Sequence, residues 1–185
     1  FRSNLHSHLD LAAEPAKLMR QLNLSLFTEL DRSEMFITAQ LAYLSADSRT
    51  LRTCGAGHGP LLMSDGIEVA EIGSDGPPLG VSEGHEYAQH EIHLKGITHL
   101  LMHTDGLSDS SSSEAQITRE MLHFWLRGTS VAGMDAWAAR DSLRQMHRVF
   151  HESARVRDDA TFIILTRAHA TIPCPNPQSL THASR

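Results

Sequence analysis

A chain of 185 residues, 41% hydrophobic and 21% charged, has the length and composition of one soluble globular domain with its own core. Its formal net charge of −6 argues against nucleic acid or an anionic membrane as a partner, since both reward a basic face, and no apolar run approaches the length of a membrane span. The two cysteines, Cys54 and Cys174, form no CxxC pair, which argues against a zinc knuckle or disulfide framework and for a reducing, cytoplasmic compartment.

In chain order, residues 1–31 read as helical, with Leu5 and Leu9 and then Leu18, Leu22, Leu26 and Leu30 at near-helical spacing and Pro15 in a first helical turn. Met35 to Leu44 and Leu51 to Thr53 read as strands joined by a turn at Asp47-Ser48. Gly55-Ala56-Gly57-His58-Gly59-Pro60 interrupts the chain before a strand at Leu61-Leu62-Met63, a turn at Asp65-Gly66 and a short strand over Ile67 to Ile72. The prolines of Asp75-Gly76-Pro77-Pro78-Leu79-Gly80-Val81 make a rigid loop, and residues 88–94 alternate weakly. Ile97 to Thr104 is an apolar strand broken by His99 and His103, and Ser108 to Ser113 a loop. Ile117, Met121 and Trp125 mark one helix; Trp137, Leu143, Met146 and Phe150 mark another. Ala160 to Leu165 is a last strand of apolar and β-branched residues, followed by a polar tail with Pro173, Pro175 and Pro177 that reads as disordered. Antiparallel strands with grouped helices define an α+β layered fold.

Two acidic positions carry chemistry by where they fall. Asp105 closes an apolar strand and precedes Gly106, while Asp158 and Asp159 open the last strand. If the two strands are antiparallel neighbours, the end of one lies beside the start of the other and the carboxylates meet at one sheet edge. Carboxylates brought together raise one another's pKa unless a cation lies between them, and oxygen donors suit Mg2+ or Mn2+. Taken alone the signal is weak, since Asp-Gly is a common turn dipeptide and an acid at a strand end is usually a solvated turn residue.

The series Phe36-Ile37-Thr38, Gly55-Ala56-Gly57-His58-Gly59-Pro60, Pro78-Leu79-Gly80-Val81, Leu100-Leu101-Met102-His103-Thr104-Asp105-Gly106 and Asp158-Asp159-Ala160-Thr161 resembles the SpoIIE/RsbU-like group of PPM-type (protein phosphatase 2C-like) serine/threonine phosphatases, in order and in spacing. The resemblance implies an antiparallel β-sandwich flanked by helices, with 1–168 as the phosphatase domain and 169–185 as a disordered tail. It implies a hydrolase acting on phosphoserine and phosphothreonine through water activated by two Mn2+ or Mg2+ ions. On this reading Asp105 and Asp158 are the catalytic, metal-binding carboxylates, Gly106 and Asp109 further members of the metal site, and His58 a substrate-binding residue. The implied substrate is a phosphorylated bacterial regulator of the anti-sigma-factor antagonist type, with a sensor or receiver domain upstream of residue 1.

The departures qualify this expectation. The family's first acidic motif, Asp-Val-x-Gly-His-Gly, is absent from the 185 residues, which reads as an N-terminally incomplete domain. Gly59 stands where the family usually has Asn, and Ala42 where it often has Gly. A catalytically inactive module that binds a phosphoregulator is therefore the alternative. Other features have plainer readings. His58 also fits a structural role, hydrogen-bonding its turn, and the pairs His6/His8 and His90/His93 arise readily by chance among 13 histidines. Trp125 and Trp137 read as core. No phosphate-binding glycine loop and no Gly-x-Ser-x-Gly elbow is present, so nucleotide hydrolysis and serine-hydrolase chemistry lack support.

Overall fold

Leu18, Leu22, Leu26 and Leu30 recur every fourth residue and so share one face of a helix. In the computed structural model, which describes residues 1–107, 117–151 and 159–167, that face is buried along α2 (Pro15–Arg32). The helical reading of residues 1–31 resolves into α1 (Arg2–Ser7), a 3-10 turn at Leu9–Leu11 and α2 itself. Pro15 sits in the first turn of α2, where its missing N–H costs nothing. The helix stops at Ser33, whose hydroxyl donates to the Glu29 carbonyl at 2.8 Å, and the chain reverses through Glu34 in the left-handed region, φ 53°.

Among the described residues seven strands follow: β1 (Ala39–Leu44), β2 (Thr50–Ala56), β3 (Leu61–Ser64), β4 (Val69–Ile72), β5 (His90–His93), β6 (His99–His103) and β7 (Phe162–Thr166). The expected strand over Met35 to Leu44 begins only at Ala39. Met35 and Phe36 are exposed, and Ile37 makes an isolated bridge with Leu79 in place of a ladder. Among the described residues β1-β2-β5 form one sheet and β4-β3-β6-β7 a second, with every pairing antiparallel.

Side-chain alternation assembles the layers. Leu51 and Ile92 of the first sheet meet Leu61, Met63, Leu100 and Met102 of the second, so the sheets lie face to face. The outer face of the first sheet, through Ala39, Cys54 and Ala56, is covered by the leucine stripe of α2. The outer face of the second, through Leu62, Leu101 and Ile164, is covered by α3 (Arg119–Val131) and α4 (Ala136–His151). The result is the expected antiparallel sandwich flanked by helices. No helix among the described residues is long and apolar enough to cross a membrane. The Ser108 to Ser113 loop and the tail lie outside the described residues.

Two aromatic residues divide. Trp125 packs against the α3/α4 core and donates its indole N–H to the Ser142 hydroxyl at 3.1 Å, as a core tryptophan should. Trp137 is 69% exposed, with the Arg140 guanidinium 4.6 Å from its ring centroid. The expectation that it is core is wrong: Ala139 and Leu143 take the buried face of α4, and Trp137 falls outside it.

The α3 layer is tied to the sheet by an ionic clamp. Thr118 caps the helix by accepting from the Met121 N–H at 3.3 Å. Arg119 and His123 then both donate to the Glu71 carboxylate on β4. Burial pushes the Glu71 carboxyl up, but the hydrogen bonds from Arg119 and His123 outweigh it and hold the group below its ordinary value. A depressed folded pKa contributes stability that is complete above the unfolded carboxyl range and is lost as pH falls through the folded value. Glu71→Gln therefore flattens the acid limb of stability: between about pH 5 and pH 3, its urea midpoint falls less steeply than that of the unaltered chain. Parallel slopes for the two proteins would contradict this assignment.

Candidate functional site

The register of β6 against β7 brings the two acidic segments together. His103 pairs with Phe162, so the residues just beyond β6 face those just before β7. Thr104 sews this junction. Its N–H donates to the Thr161 carbonyl at 2.9 Å, and its hydroxyl oxygen accepts from the Thr161 N–H at 2.9 Å. The hydroxyl also faces the Asp159 carbonyl at 3.3 Å. Asp105 then opens a 3-10 turn, Asp105–Leu107, that is anchored by the fully buried Leu107. Its carboxylate is exposed, and one oxygen accepts from the Gly106 N–H at 3.0 Å.

Gly106 is required by contact. A Cβ on it would lie 2.5 Å from the Asp159 carbonyl oxygen, closer than real Cβ contacts come. The absence of a side chain at 106 is what lets the Asp105 turn lie against the start of the last strand.

A second segment closes on the same end of the sandwich. The turn after β2 carries Gly57 with φ 64°, its N–H donating to the Gly76 carbonyl at 2.9 Å. Next in the chain, the half-buried His58 has its ring Nδ1 3.4 Å from the Thr38 hydroxyl and makes a hydrogen bond to the His103 backbone. Burial, and then the neighbouring His103, hold the imidazole below its ordinary pKa; the negative charge of Asp105 and the backbone hydrogen bond pull the other way without reversing the shift. The ring is therefore neutral near pH 7. The carbonyl of His58 accepts from the Ser74 hydroxyl at 2.8 Å, which ties the turn to the proline-containing loop.

The structure thus groups His58, Asp105, Gly106 and the Asp159 backbone. Asp109 and Asp158 lie outside the described residues. Sequence reasoning gave no role to Thr38, Ser74, His103 or the Thr104 side chain. The Phe36-Ile37-Thr38 and His103-Thr104-Asp105 runs mark three of them, while nothing in the sequence marks Ser74. His90 and His93 stand three apart on β5 and so point to opposite faces of the sheet, which does not make a metal-binding pair; the His90 Nε2 is 2.5 Å from an Asp75 carboxylate oxygen. His8 is 3.4 Å from the Ser25 hydroxyl.

For a cation, the donors in hand are an exposed carboxylate and nearby backbone carbonyls. They are hard oxygen ligands of the type that Mg2+ and Mn2+ accept alongside water. In kind they fit. In number they are part of a site: among the described residues no group of three or more histidine, cysteine, aspartate or glutamate side chains is placed to hold a metal ion.

Comparison with known proteins defines the class. Residues 1–168 match the model of the family described as Stage II sporulation protein E (SpoIIE), and the chain belongs to that family, within the SpoIIE/RsbU-like PPM-type phosphatases. Solved structures agree on the fold. The SiaA-PP2C domain of Pseudomonas aeruginosa aligns with a TM-score of 0.76 at 19% identity, over 90% of this chain and 67% of that one. The RsbU and RsbW domains of Rv1364c from Mycobacterium tuberculosis align with a TM-score of 0.64 at 18% identity, over 90% of this chain and 45% of theirs. The phosphatase domain of SpoIIE from Bacillus subtilis, presoaked with Mn, gives a TM-score of 0.59 at 17% identity, over 89% and 72%. The chain therefore spans between about half and three quarters of the length of these relatives. No curated protein sequence matches it.

The Gly106 contact has a measurable consequence. Gly106→Ala forces the Asp105 turn away from Asp159 and lowers unfolding free energy by about 1–3 kcal/mol, the usual cost of overpacking. Urea denaturation checks it; an unchanged midpoint would show that the junction yields freely.

Proposed function

We propose that this chain is the phosphatase domain of a cytoplasmic bacterial signalling protein and that it hydrolyses phosphoserine on a small regulatory protein of the anti-sigma-factor antagonist type. The observation that carries the reading is the junction of β6 and β7. It sets an exposed carboxylate, Asp105, beside the segment entering the last strand, at the end of the sandwich where His58 also lies. Membership of the SpoIIE family supports the reaction class. The substrate, the compartment and an upstream sensor or receiver domain belong to the proposal.

Asp105 and Asp158 are assigned to hold divalent cations, Mn2+ or Mg2+, with Gly106 and Asp109 as further members of the metal site. When bound, such ions supply positive charge to the phosphoryl oxygens and acidify water at neutral pH. The chain's own residues do the positioning. Thr104 fixes the two segments against each other, and Gly106 permits their contact. His58, neutral at pH 7, is assigned to contact the phosphoryl group from the facing rim.

The second reading is a module that binds a phosphoregulator without cleaving it.

Hydrolysis of p-nitrophenyl phosphate and of a phosphoserine peptide separates the two. The proposal expects turnover with Mn2+ that EDTA abolishes and that Asp105→Asn lowers at least about a hundredfold, with the far-ultraviolet circular dichroism unchanged. Full manganese-dependent turnover in Asp105→Asn would remove Asp105 from the site. Binding of the phosphoprotein by the folded chain with no turnover would establish the second reading.

A further inference from the structure

The loop over residues 74–83 is a strap between helix α2 and the turn that carries His58, and one buried side chain holds its far end. Asn23, on α2, is 0% exposed, and its amide is committed at both ends. Its Nδ2 donates to the carbonyls of Ser82, at 2.7 Å, and Glu83, at 3.1 Å, while its Oδ1 accepts from the Gly80 N–H at 2.9 Å. A helix interior normally buries apolar residues on its core face, so a fully satisfied amide among Met19, Leu22 and Leu26 marks a specific partner.

From that anchor a series of hydrogen bonds and one packing contact runs along the strap to the candidate site. Gly80 follows Leu79, which exchanges two backbone bonds with Ile37, at 2.8 and 3.0 Å, beside Thr38. Pro78 packs where a Cβ on Gly57 would stand, the nearest ring atom 2.5 Å away. The Gly76 carbonyl accepts from the Gly57 N–H, and the Ser74 hydroxyl donates to the His58 carbonyl. The strap therefore touches both neighbours of the His58 ring contact: the Thr38 side through Leu79, and the turn itself through Ser74 and Gly76. Of the further ties between α2 and this region, Arg20 to Glu86 at 2.6 Å is a surface ion pair with Glu86 74% exposed and holds little. The Ala16 N–H reaches Gln89 Oε1 only at 3.4 Å, and Leu79 and Tyr87 pack in the core beneath the helix without fixing a hydrogen-bond register.

We propose that Asn23 is a positioning residue: through the 74–83 strap it holds the Gly57-His58 turn, and hence the His58 rim of the candidate site, in register with Thr38 and Asp105. Its catalytic consequence rests on the phosphatase reading above; its structural consequence does not. Removing the amide leaves the Gly80 N–H and the Glu83 carbonyl without their partner and the Ser82 carbonyl with only the His85 N–H at 3.4 Å. The strap then loses its polar anchor on α2, Leu79 alone holding it by packing, and the bonds along it open more often.

The test is amide hydrogen exchange on the full chain, resolved by residue, for Asn23→Leu, Arg20→Ala and Leu22→Ala. Leu22→Ala opens a cavity in the same core while leaving the hydrogen bonds between Asn23 and the strap in place, and so reports what loss of packing and stability alone does. In Asn23→Leu the amides of Gly57 and Leu79 exchange at least about tenfold faster, together with Gly80, while those of β3 and β6 keep their rates. Arg20→Ala leaves all of them unchanged. Where the chain turns over p-nitrophenyl phosphate, Asn23→Leu lowers kcat about tenfold at unchanged KM and Leu22→Ala does not. Faster exchange confined to Gly80 would overturn the proposal, since Asn23 would then be a local clamp. The same exchange pattern in Leu22→Ala would overturn it too, since the effect would be loss of stability alone. Should Asn23→Leu fail to fold, Asn23→Ser is read by the same criteria. A chain without turnover still decides the matter by exchange, because those amides report the strap whatever the reaction.

Discussion

The contact between Gly106 and the Asp159 carbonyl, sewn by the Thr104 hydroxyl, is the constraint on which the functional end of this protein depends. Two acidic segments more than fifty residues apart are brought to one sheet edge by an antiparallel register that ends at His103 and Phe162. Beyond that register the ladder has run out, and three elements hold the chains together: the Thr104 backbone bond to Thr161, the Thr104 side chain, and a residue at 106 with no Cβ. Leu107, fully buried a step later, fixes the turn from beneath, so Asp105 is exposed on a rigid base. What the structure shows at this end is the exposed Asp105 carboxylate on a turn packed against the Asp159 backbone; the cation belongs to the proposal.

The rest of the molecule is arranged to support that end. Helices cover the outer faces of both sheets, α2 through its leucine stripe and α3/α4 through Leu122, Leu126 and Leu143, so the sheets need only meet each other inside. Each covering layer also carries a polar device that ties it to the sheets or loops beneath. On the α3 side it is the Glu71 carboxylate with Arg119 and His123; on the α2 side it is Asn23 and the strap. The first couples helix to sheet. The second links a helix distant from Asp105 to the turn that faces it. Hydrophobic burial is non-directional and does not define a rim at the scale of a hydrogen bond; buried amides and carboxylates do.

Much of this was legible in the residues, for identifiable reasons. The leucines at 18, 22, 26 and 30 gave α2, and the apolar run ending in Thr104-Asp105-Gly106 gave β6, because periodicity and an Asp-Gly stop are local signals. The pairing of β6 with β7 was an inference from the acidic ends, and the register agrees. What was not legible is non-local. Met35 to Thr38 has strand-like residues but lacks a full ladder partner, so β1 starts at Ala39. Trp137 looked like core because aromatic residues usually are, yet the arc of α4 defined by Ala139 and Leu143 leaves it outside with Arg140 across its ring. Ser74 and Asn23 are ordinary polar residues in sequence. Only the fold shows that one holds the His58 carbonyl and the other the opposite end of the same loop.

The central claim is that the β6/β7 junction is an oxygen-donor cation site. It is tested most directly by titrating Mn2+ into the chain and following binding by calorimetry, for the unaltered protein and for Asp105→Asn and Asp158→Asn. The account predicts saturable Mn2+ binding that each substitution weakens at least about tenfold, as expected when one carboxylate ligand is neutralised. Mn2+ affinity unchanged in both variants would contradict it, and would leave the junction as a structural feature of the sheet edge alone.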